Sequence, residues 1–191
     1  MTSMLLGCVL LFQQGFPQTE ISYDRLHQWP RIEGRAPVGV EFNNKGDKIS
    51  FLWNKSGERY RDIYILSLTD LVPVQLTSSN DFPDIPLQDD TRTEQQKKED
   101  VQYDGGPSAP KWSPDDRELL IEYKGDLWVM EPKVGSKPKR IIQTTAGEYN
   151  AQYSPSGKYI SYMSGGNVFT WNRSSGEIKQ LTTIAKSGTS L

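Results

Sequence analysis

A motif made of one aromatic residue, a tight polar turn and an alternating apolar strand occurs three times in this chain. The copies begin at Phe42, Trp112 and Tyr153, and the last two are 41 residues apart. That spacing is typical of the four-stranded blade of a β-propeller. Because a single sheet of this kind cannot bury its own faces, the repeat predicts sheets that are stacked face to face.

The residues after each turn predict a hairpin and a fourth strand. Third strands are predicted at 62–66, 126–129 and 167–170, and fourth strands at 74–77, 140–144 and 179–182. The turns Lys124-Gly125 and Gly165-Gly166 directly precede two of the third strands, and glycine adopts a positive φ at low cost. The sequence therefore predicts an all-β fold, a partial β-propeller of about three four-stranded blades that is not closed.

Alternation predicts which side chains of the first blade face the core. Ile49, Phe51 and Trp53 are predicted to point inward, whereas Ser50 and Asn54 are predicted to point outward. In all three copies we expect the aromatic before the turn and the aromatic of the third strand to pack between neighbouring sheets, rather than to form a ligand-stacking surface. The Asp or Asn that begins each third strand is expected to bond backbone groups at the hairpin.

The positions of the repeats divide the chain into segments. Residues 1–20 are interpreted as a signal or lead segment, 21–36 as an irregular lead-in and 37–191 as the partial propeller. Its blades are predicted at about 37–79, 108–145 and 149–183, with a polar insertion at 80–107. The charged runs of the insertion predict a solvated segment with one or two exposed helical turns near 91–101.

Composition excludes several classes of protein. Hydrophobic residues make up 35% of the chain and the formal net charge is −2, so no basic field is available to neutralise phosphates. The locally basic tract 133–140 lies between two predicted strands and is interpreted as a solvated loop, and nucleic acid is not an expected partner. Cys8 is the single cysteine, which rules out an intrachain disulfide or a multi-cysteine metal site.

The amino-terminal region contains a short apolar run from Met4 to Phe12. It is too short to cross a bilayer, so no transmembrane span is predicted. Two interpretations remain: the core of a truncated signal peptide, or a strand or helix within the fold. The polar residues 13–20 favour the signal peptide, which predicts an extracytoplasmic location, periplasmic or secreted.

The number of blades bears on function. Closed propellers generally need about four to eight blades, and this chain provides three. We therefore expect either the N-terminal part of a longer protein or a chain that associates to cover an open edge, and we favour the first.

The turn motifs at 112–116 and 153–158 resemble the repeats of TolB-like and dipeptidyl peptidase IV-like propellers. Further phrases that carry the resemblance are Trp29-Pro30-Arg31-Ile32, Ala36-Pro37, Phe51-Leu52-Trp53-Asn54, Arg61-Asp62-Ile63-Tyr64 and Gly125-Asp126-Leu127-Trp128. Together they are similar to the opening of the N-terminal propeller of bacterial dipeptidyl peptidase IV-like proteins, in the prolyl oligopeptidase family of serine peptidases. The resemblance covers nearly the whole chain after residue 20.

The resemblance implies a specific arrangement of domains. In that family the propeller lies over a C-terminal α/β-hydrolase domain and restricts access to small peptides. A serine nucleophile, an aspartate and a histidine would belong to that later domain. The partners implied are therefore this hydrolase domain and peptide substrates, with no cofactor.

A catalytic site is not predicted within this chain. A hydrolase of that type needs a Gly-x-Ser-x-Gly elbow, and the nearest match, around Ser108, ends in Pro110 and precedes a predicted strand. His27 is the only histidine and stands before the first blade, where a surface or packing role is expected. The chain alone is therefore not predicted to be an enzyme.

No metal-binding or substrate-amine site is predicted either. Asp89-Asp90 and Asp115-Asp116 lack the spaced oxygen ligands of a calcium loop, and no glycine-rich phosphate loop precedes a helix. The paired glutamates that hold the substrate amino terminus in dipeptidyl peptidase IV have no match. The glutamates considered are isolated in turns or strands: Glu58, Glu122, Glu131 and Glu148.

Three functions follow as hypotheses. The first is the propeller portion of an exported serine exopeptidase, which gates and orients peptides for a hydrolase domain. The second is a TolB-like, non-enzymatic propeller scaffold that binds proteins. The third and weakest is a carbohydrate-binding surface formed by Trp29, Trp53, Trp128 and Trp171.

Overall fold

The computed structural model describes residues 22–28, 34–58, 60–82, 93–96, 106–144 and 146–184. The predictions for the apolar run 4–12, Cys8, Trp29 and Asp89-Asp90 concern residues outside these ranges. Helix α1 spans Tyr23–His27 in the lead-in that was expected to be irregular.

Two short helical segments are stabilised by side-chain caps. Ser22 caps α1, where its hydroxyl accepts a hydrogen bond from the Arg25 amide at 3.2 Å. Residues 94–96 form an exposed helical turn, within the range where one was expected. Thr93 and Gln96 exchange two hydrogen bonds there, from the Thr93 amide to Gln96 Oε1 and from the Gln96 amide to Thr93 Oγ1. This is the reciprocal pattern of a capping box.

The strands of the described residues form three four-stranded antiparallel sheets. The first sheet contains β1 (Val38–Phe42), β2 (Lys48–Trp53), β3 (Asp62–Ser67) and β4 (Pro73–Gln75). The second contains β5 (Lys111–Trp112), β6 (Leu119–Tyr123), β7 (Asp126–Met130) and β8 (Lys139–Ile142). The third contains β9 (Glu148–Tyr153), β10 (Tyr159–Ser164), β11 (Asn167–Asn172) and β12 (Ile178–Gln180). Each sheet is a meander in sequence order and none is closed, which confirms the predicted partial β-propeller.

The predicted hairpins between second and third strands are also confirmed. Lys124 and Gly125 have φ values of 48° and 81°, and Gly165 and Gly166 have values of 54° and 78°. Two consecutive positive φ values are what a type I′ turn requires, and this turn matches the twist of the strands that it joins.

Two apolar cores lie between successive sheets. We call the side of a sheet that faces the preceding sheet its near face, and the side that faces the following sheet its far face. In β6, Leu119 and Ile121 belong to the first core, together with Leu52 and Ile63 from the far face of the first sheet. Leu120 points the other way and belongs to the second core. The middle sheet is therefore buried on both faces.

The prediction that Ser50 points outward is wrong, since the residue is completely buried. Ser50 is paired with Ile65, which packs against the first core. On the opposite face, Phe51 is also buried and stacks on Tyr64, with ring centroids 5.8 Å apart. The prediction from alternation failed here because it assumes that one face of the sheet is buried and the other faces solvent. A blade makes apolar contacts on both faces.

The aromatic residues before the turns do not all behave as predicted. Trp112 is buried in the first core and Tyr153 packs against the second, as expected. Phe42, however, is 62% exposed, because among the described residues no sheet packs against the near face of the first sheet. The third-strand aromatics Trp128 and Phe169 pack in the cores between sheets, as predicted. For Tyr64 the prediction is wrong, because this residue is buried on the opposite face of the first sheet, where it stacks on Phe51.

Candidate functional site

The polar residues of this fold cluster where neighbouring sheets meet. The Asp116 carboxylate accepts hydrogen bonds from the Asn44 amide at 2.7 Å and the Lys45 amide at 3.1 Å. The side-chain amides of Asn43 and Asn44 also donate to it, at 3.1 and 2.8 Å. This turn latch, made of Asn43, Asn44, Lys45 and Asp116, joins the turns of the first and second sheets.

The turn latch also stabilises the charged form of Asp116. Partial burial alone would raise the pKa of Asp116, but the hydrogen bonds from Asn44 and Lys45 outweigh it and hold the pKa below its usual value. Asp116 adopts a positive φ of 62°, a conformation that aspartate tolerates better than most residues. The carboxylate therefore acts as a structural anion between two blades.

Replacing Asp116 with alanine should lower the free energy of unfolding by about 1–3 kcal/mol at neutral pH, because four donors lose a charged acceptor. The folded-state pKa is depressed, so this contribution is present at neutral pH and is lost as pH falls through that pKa. Urea unfolding at several pH values measures both effects. Asp115→Ala removes the same charge from the same turn and should cost less than half as much; equal costs would contradict the latch.

An ion pair joins the second sheet, just before β6, to the turn between β11 and β12 of the third sheet. Arg173 pairs with Glu118, and its guanidinium lies over the ring of Tyr153 at 5.2 Å from the centroid. Arg173 also donates to the Gly157 carbonyl oxygen at 2.7 Å. Burial and the negative charge of Glu118 raise the pKa of Tyr153, so its ring stays neutral beneath the arginine.

Glu122 and Ser108, two residues singled out in the sequence, have structural roles in the second sheet. Glu122 Oε1 accepts a hydrogen bond from the Ala151 amide of the third sheet at 2.7 Å, while Lys111 donates to the Ala151 carbonyl at the same distance. Ser108 exchanges two hydrogen bonds with the Glu122 backbone, at 2.8 and 3.0 Å. Its hydroxyl oxygen is thus an acceptor in an extension of the β5–β6 pairing.

A strand clasp made of Asp62, Gln75 and Thr77 fastens the end of the first sheet. The Thr77 hydroxyl accepts from the Ile63 amide at 2.9 Å and donates to Asp62 Oδ1 at 3.2 Å. Gln75 Nε2 donates to the other oxygen of Asp62 at 3.0 Å. The clasp therefore ties the first residue of β3 to the chain that leaves β4.

The third sheet repeats this clasp with an amide in place of the carboxylate. The Val168 amide donates to Thr182 Oγ1 at 2.8 Å, and Asn167 Oδ1 accepts from the Ile184 amide at 2.9 Å. Asn167 also donates to the Gly165 carbonyl at 3.4 Å, which confirms for this residue the predicted bond to the hairpin. The clasp to the fourth strand was not predicted, although a threonine ends the predicted fourth strand of each repeat.

Asp62 lies in an environment that disfavours its charge. Burial raises the pKa of Asp62 to about 6; the hydrogen bond from Thr77 opposes this shift, and the nearby charge of Asp81 adds to it. Asp81 itself is paired with Lys137, in the loop between β7 and β8. Asp62 is thus the carboxyl group of the clasp whose protonation should change near neutral pH.

Asp62→Asn should remove a pH dependence of stability between about pH 4 and 7. The raised pKa means that the folded state binds more protons than the unfolded state in this window, so stability falls as pH rises. The loss is on the order of 3 kcal/mol at most. Asparagine occupies the equivalent position in the third sheet, at Asn167, so the substitution suits the fold.

The measurement is urea unfolding of both proteins at pH 4, 5, 6 and 7. Thr77→Ala is the matched control, because it breaks the same clasp but leaves the carboxyl group, and it should retain the pH dependence. If Asp62→Asn keeps the pH dependence of the unsubstituted chain, another group is responsible.

Two further carboxylates are buried: Asp126, the first residue of β7 in the second sheet, and Glu148, the first residue of β9 in the third sheet. Arg140 donates to Asp126 at 3.1 Å and lies over the Trp128 ring at 5.5 Å from its centroid. Glu148 is 2% exposed and accepts a hydrogen bond from Thr144. Burial and the negative charge of Asp126 raise the pKa of Glu148, which the hydrogen bond from Thr144 only partly opposes.

The other residues singled out in the sequence lie apart from these contacts. His27 is exposed on α1 and packs against the Tyr23 ring, with centroids 4.6 Å apart. Glu131 is exposed and pairs with Lys133, and the Glu58 amide bonds Asn54 at 2.9 Å. Asp115 accepts from the Ser113 hydroxyl at 2.7 Å within its own turn.

Three of the four tryptophans of the carbohydrate hypothesis lie in the described ranges, and each of these three is buried or half-buried. Trp128 is 3% exposed and belongs to the first core. Trp171 is half-buried against the second core. Trp53 is half-buried and donates from Nε1 to the Arg35 carbonyl at 2.8 Å. These three residues therefore serve packing, and within the described part of the chain they do not support the carbohydrate hypothesis.

Within the described residues, no three His, Cys, Asp or Glu side chains come together in a way that could hold a metal ion. A groove of about 500 Å³ is lined by Arg117, Glu118, Glu131, Pro132 and Lys133, which carry charges of both signs. None of the helices in the described part of the chain is long and apolar enough to cross a membrane.

Comparison with known proteins supports the fold. No family model matches the sequence, and no curated protein matches it. Among solved structures, a protein assigned as TolB from Agrobacterium tumefaciens is similar, with a TM-score of 0.54 and 14% identity over 78% of this chain and 50% of that one. TolB from Acinetobacter baumannii gives a TM-score of 0.51 and 19% identity over 78% of this chain and 32% of that one.

Peptidases are similar to the same extent. A structure from a study of two prolyl endopeptidases gives a TM-score of 0.53 and 10% identity, covering 78% of this chain and 22% of that one. The chain thus spans half or less of the length of these similar structures. At such low identities the similarity establishes the β-propeller fold alone.

Proposed function

We propose that this chain is the N-terminal propeller portion of an exported serine exopeptidase of the dipeptidyl peptidase type. It gates and orients peptide substrates for a hydrolase domain that another part of the protein contributes. The observation that carries the proposal is the combination of three consecutive blades with the family-like phrases at 29–32, 61–64 and 125–128. The similarity to a prolyl endopeptidase structure supports it.

The role of the chain in this proposal is mechanical. The turn latch and the Glu118–Arg173 pair hold successive sheets together. The blades therefore keep a fixed orientation relative to each other beside the path of the peptide substrate. An extracytoplasmic location is part of the proposal, and the apolar run at 4–12 supports it as a signal segment.

A TolB-like scaffold that binds proteins without catalysis is the second candidate. The similarity to two TolB structures favours it as strongly as the peptidase similarity favours the first. The adjoining coding sequence separates the two. A Gly-x-Ser-x-Gly elbow followed by aspartate and histidine supports the peptidase, whereas further blades alone support the scaffold.

The purified 191-residue chain should not hydrolyse X-Pro chromogenic substrates, because its only histidine, His27, is exposed on α1 and the Ser108 hydroxyl is an acceptor in a backbone pairing. The assay compares the chain with Ser108→Ala. Turnover that disappears in the variant would contradict the proposal that this portion is catalytically silent.

A further inference from the structure

The start of the third sheet lies directly against the hairpin between β6 and β7. The Glu148 amide, at the first position of β9, donates a hydrogen bond to the Gly125 carbonyl oxygen at 2.6 Å. A Cβ on Gly125 would lie 3.3 Å from the Gly147 Cα, so the two glycines bring the backbones into contact. The second and third sheets therefore meet at a close backbone junction immediately beside the Glu148 side chain.

The Glu148 carboxyl group is buried at this junction. The residue is 2% exposed, and its Oε2 atom is buried without a hydrogen-bond partner. An ionised carboxylate in this position would hold a charged acceptor away from water and from donors, which is costly. Burial therefore favours the neutral carboxylic acid.

The hydroxyl group of Thr144 gives a second, geometric reason for a protonated Glu148. This hydroxyl lies within hydrogen-bond distance of Glu148 Oε1 and also of the Ala146 carbonyl oxygen, the latter at 2.5 Å. A hydroxyl has one proton, so it can serve only one of these two acceptors at a time. When Glu148 is protonated, it donates to Thr144 Oγ1, and the Thr144 proton is left for the Ala146 carbonyl. The protonated form therefore completes both contacts.

The charges of the second sheet at this junction act in the same direction. Asp126, at the start of β7, is 5% exposed. Burial and the negative charge of Asp126 raise the pKa of Glu148. Arg140 of β8 pairs with Asp126 at 3.1 Å. The junction thus holds two buried carboxyl groups and an arginine that is bound to the other one.

The remaining titratable groups near Glu148 are engaged elsewhere or neutral. Glu122 of β6 accepts a hydrogen bond from a backbone amide of β9 at 2.7 Å. Lys124 of the hairpin holds its ammonium group over the Tyr123 ring, 5.6 Å from the centroid. Burial and the charge of Glu148 raise the pKa of Tyr162 of β10, so this phenol stays neutral. Tyr162 thus adds no charge to the junction, and Lys124 has a partner of its own.

We propose that Glu148 controls the junction between the second and third sheets by gaining and losing a proton. When the carboxyl group is protonated, the start of β9 stays packed on the hairpin. When it is ionised, the carboxylate moves toward water and draws the Glu148 amide away from Gly125. The junction opens at this end only, because the Glu118–Arg173 pair holds the other end of β6 to the third sheet. This device operates whether the chain gates peptides or binds proteins, so it is independent of the proposed function.

The direction of the pH dependence follows from linkage. The pKa of Glu148 is raised in the folded state, so its stabilising contribution is fully present below the ordinary pKa of glutamate, about 4.3. This contribution is lost as pH rises through the raised pKa. The junction should therefore be tighter at mildly acidic pH than at alkaline pH.

Hydrogen exchange at the amide of residue 148 tests the device, because this amide donates across the junction. All proteins carry Asp62→Asn, which removes another carboxyl group with a raised pKa. After correction for the intrinsic exchange rate, protection at this amide should fall at least about fivefold between about pH 5 and pH 8. Glu148→Gln should keep its protection at both pH values. Glu131→Gln is the matched control, because Glu131 is exposed, and it should behave like the parent protein.

A carbon-13 titration of the Glu148 carboxyl group gives a readout that a purely structural role would not change. Asp126→Asn removes the neighbouring negative charge, so the titration midpoint of Glu148 should move to lower pH. This variant keeps the proposal testable if Glu148→Gln fails to fold. A midpoint at the ordinary value of glutamate, or one that Asp126→Asn leaves unchanged, would overturn the proposal. So would protection at position 148 that does not vary with pH in the parent protein.

Discussion

Leu127→Ala should lower the free energy of unfolding by about 2–5 kcal/mol. Leu127 is completely buried in the core between the second and third sheets, where Leu120 and Ile160 also lie. Removing its side chain leaves a cavity that close-packed neighbours cannot fill without strain. The cost should be large because apolar packing between the sheets is a principal contact that joins one blade to the next.

Urea unfolding followed by tryptophan fluorescence and circular dichroism measures this effect. Val134→Ala is the control, because Val134 is 70% exposed in the loop after β7 and its truncation should cost less than about 0.5 kcal/mol. A cost for Leu127→Ala as small as that of the control would mean that the third sheet does not pack on the second as described.

Gly39→Ala should also be strongly destabilising, by about 2–5 kcal/mol. Gly39 has a φ of 62°, and an L-residue pays about 1–2 kcal/mol in this region. In addition, the new methyl group would overlap the Cβ of Ala109 and lie 3.5 Å from its Cα, which adds a packing cost of about 1–3 kcal/mol. Gly39 therefore permits the close approach of β1 to the entry of the second sheet.

A matched control separates the two costs. Gly46 has a similar φ of 70° but open space around the position of a new Cβ, so Gly46→Ala should pay the conformational cost alone. Ala109→Gly in the Gly39→Ala background should recover the steric part, giving a coupling energy of about 1–3 kcal/mol in a double-mutant cycle. Equal costs for the two glycines, with no coupling, would contradict the close approach.

The sequence predicts the fold well because the repeat is local. The turns at 112–116 and 153–158 and the glycine hairpins at 124–125 and 165–166 are encoded by residues next to each other. Their conformations depend on φ preferences that each short segment carries by itself. The fold class and the third strands followed from them.

Side-chain environments are harder to predict because they depend on neighbours that are distant in the sequence. Ser50 is buried by a sheet about 60 residues further along the chain, and Phe42 is exposed because no described sheet precedes it. The turn latch between Asn44 and Asp116 joins residues 72 positions apart. A period-2 pattern contains no information about which sheet lies opposite.

The roles of the polar side chains are also difficult to predict from the sequence alone. Ser108, Glu122 and Asp115 were considered in the sequence as candidates for a catalytic, substrate-amine or metal site, and none of these sites was predicted. In the structure each of the three is engaged in a hydrogen bond that stabilises the blades. The clasp of Asp62 with Thr77 was missed, although the recurrence of a threonine after each fourth strand was a signal for it. Polar pairs that recur at the same positions of each blade therefore indicate hydrogen bonds between strands more directly than they indicate a catalytic site.

Nuclear Overhauser effects between sheets test the three-blade stack most directly. We expect contacts between the Gly39 α-protons and the Ala109 methyl group, which join the first sheet to the second. We also expect contacts that link the methyl groups of Leu120 and Leu127 to those of Ala151 and Ile160, across the second and third sheets. Contacts confined to the strands within each sheet would contradict the stacking of the three blades.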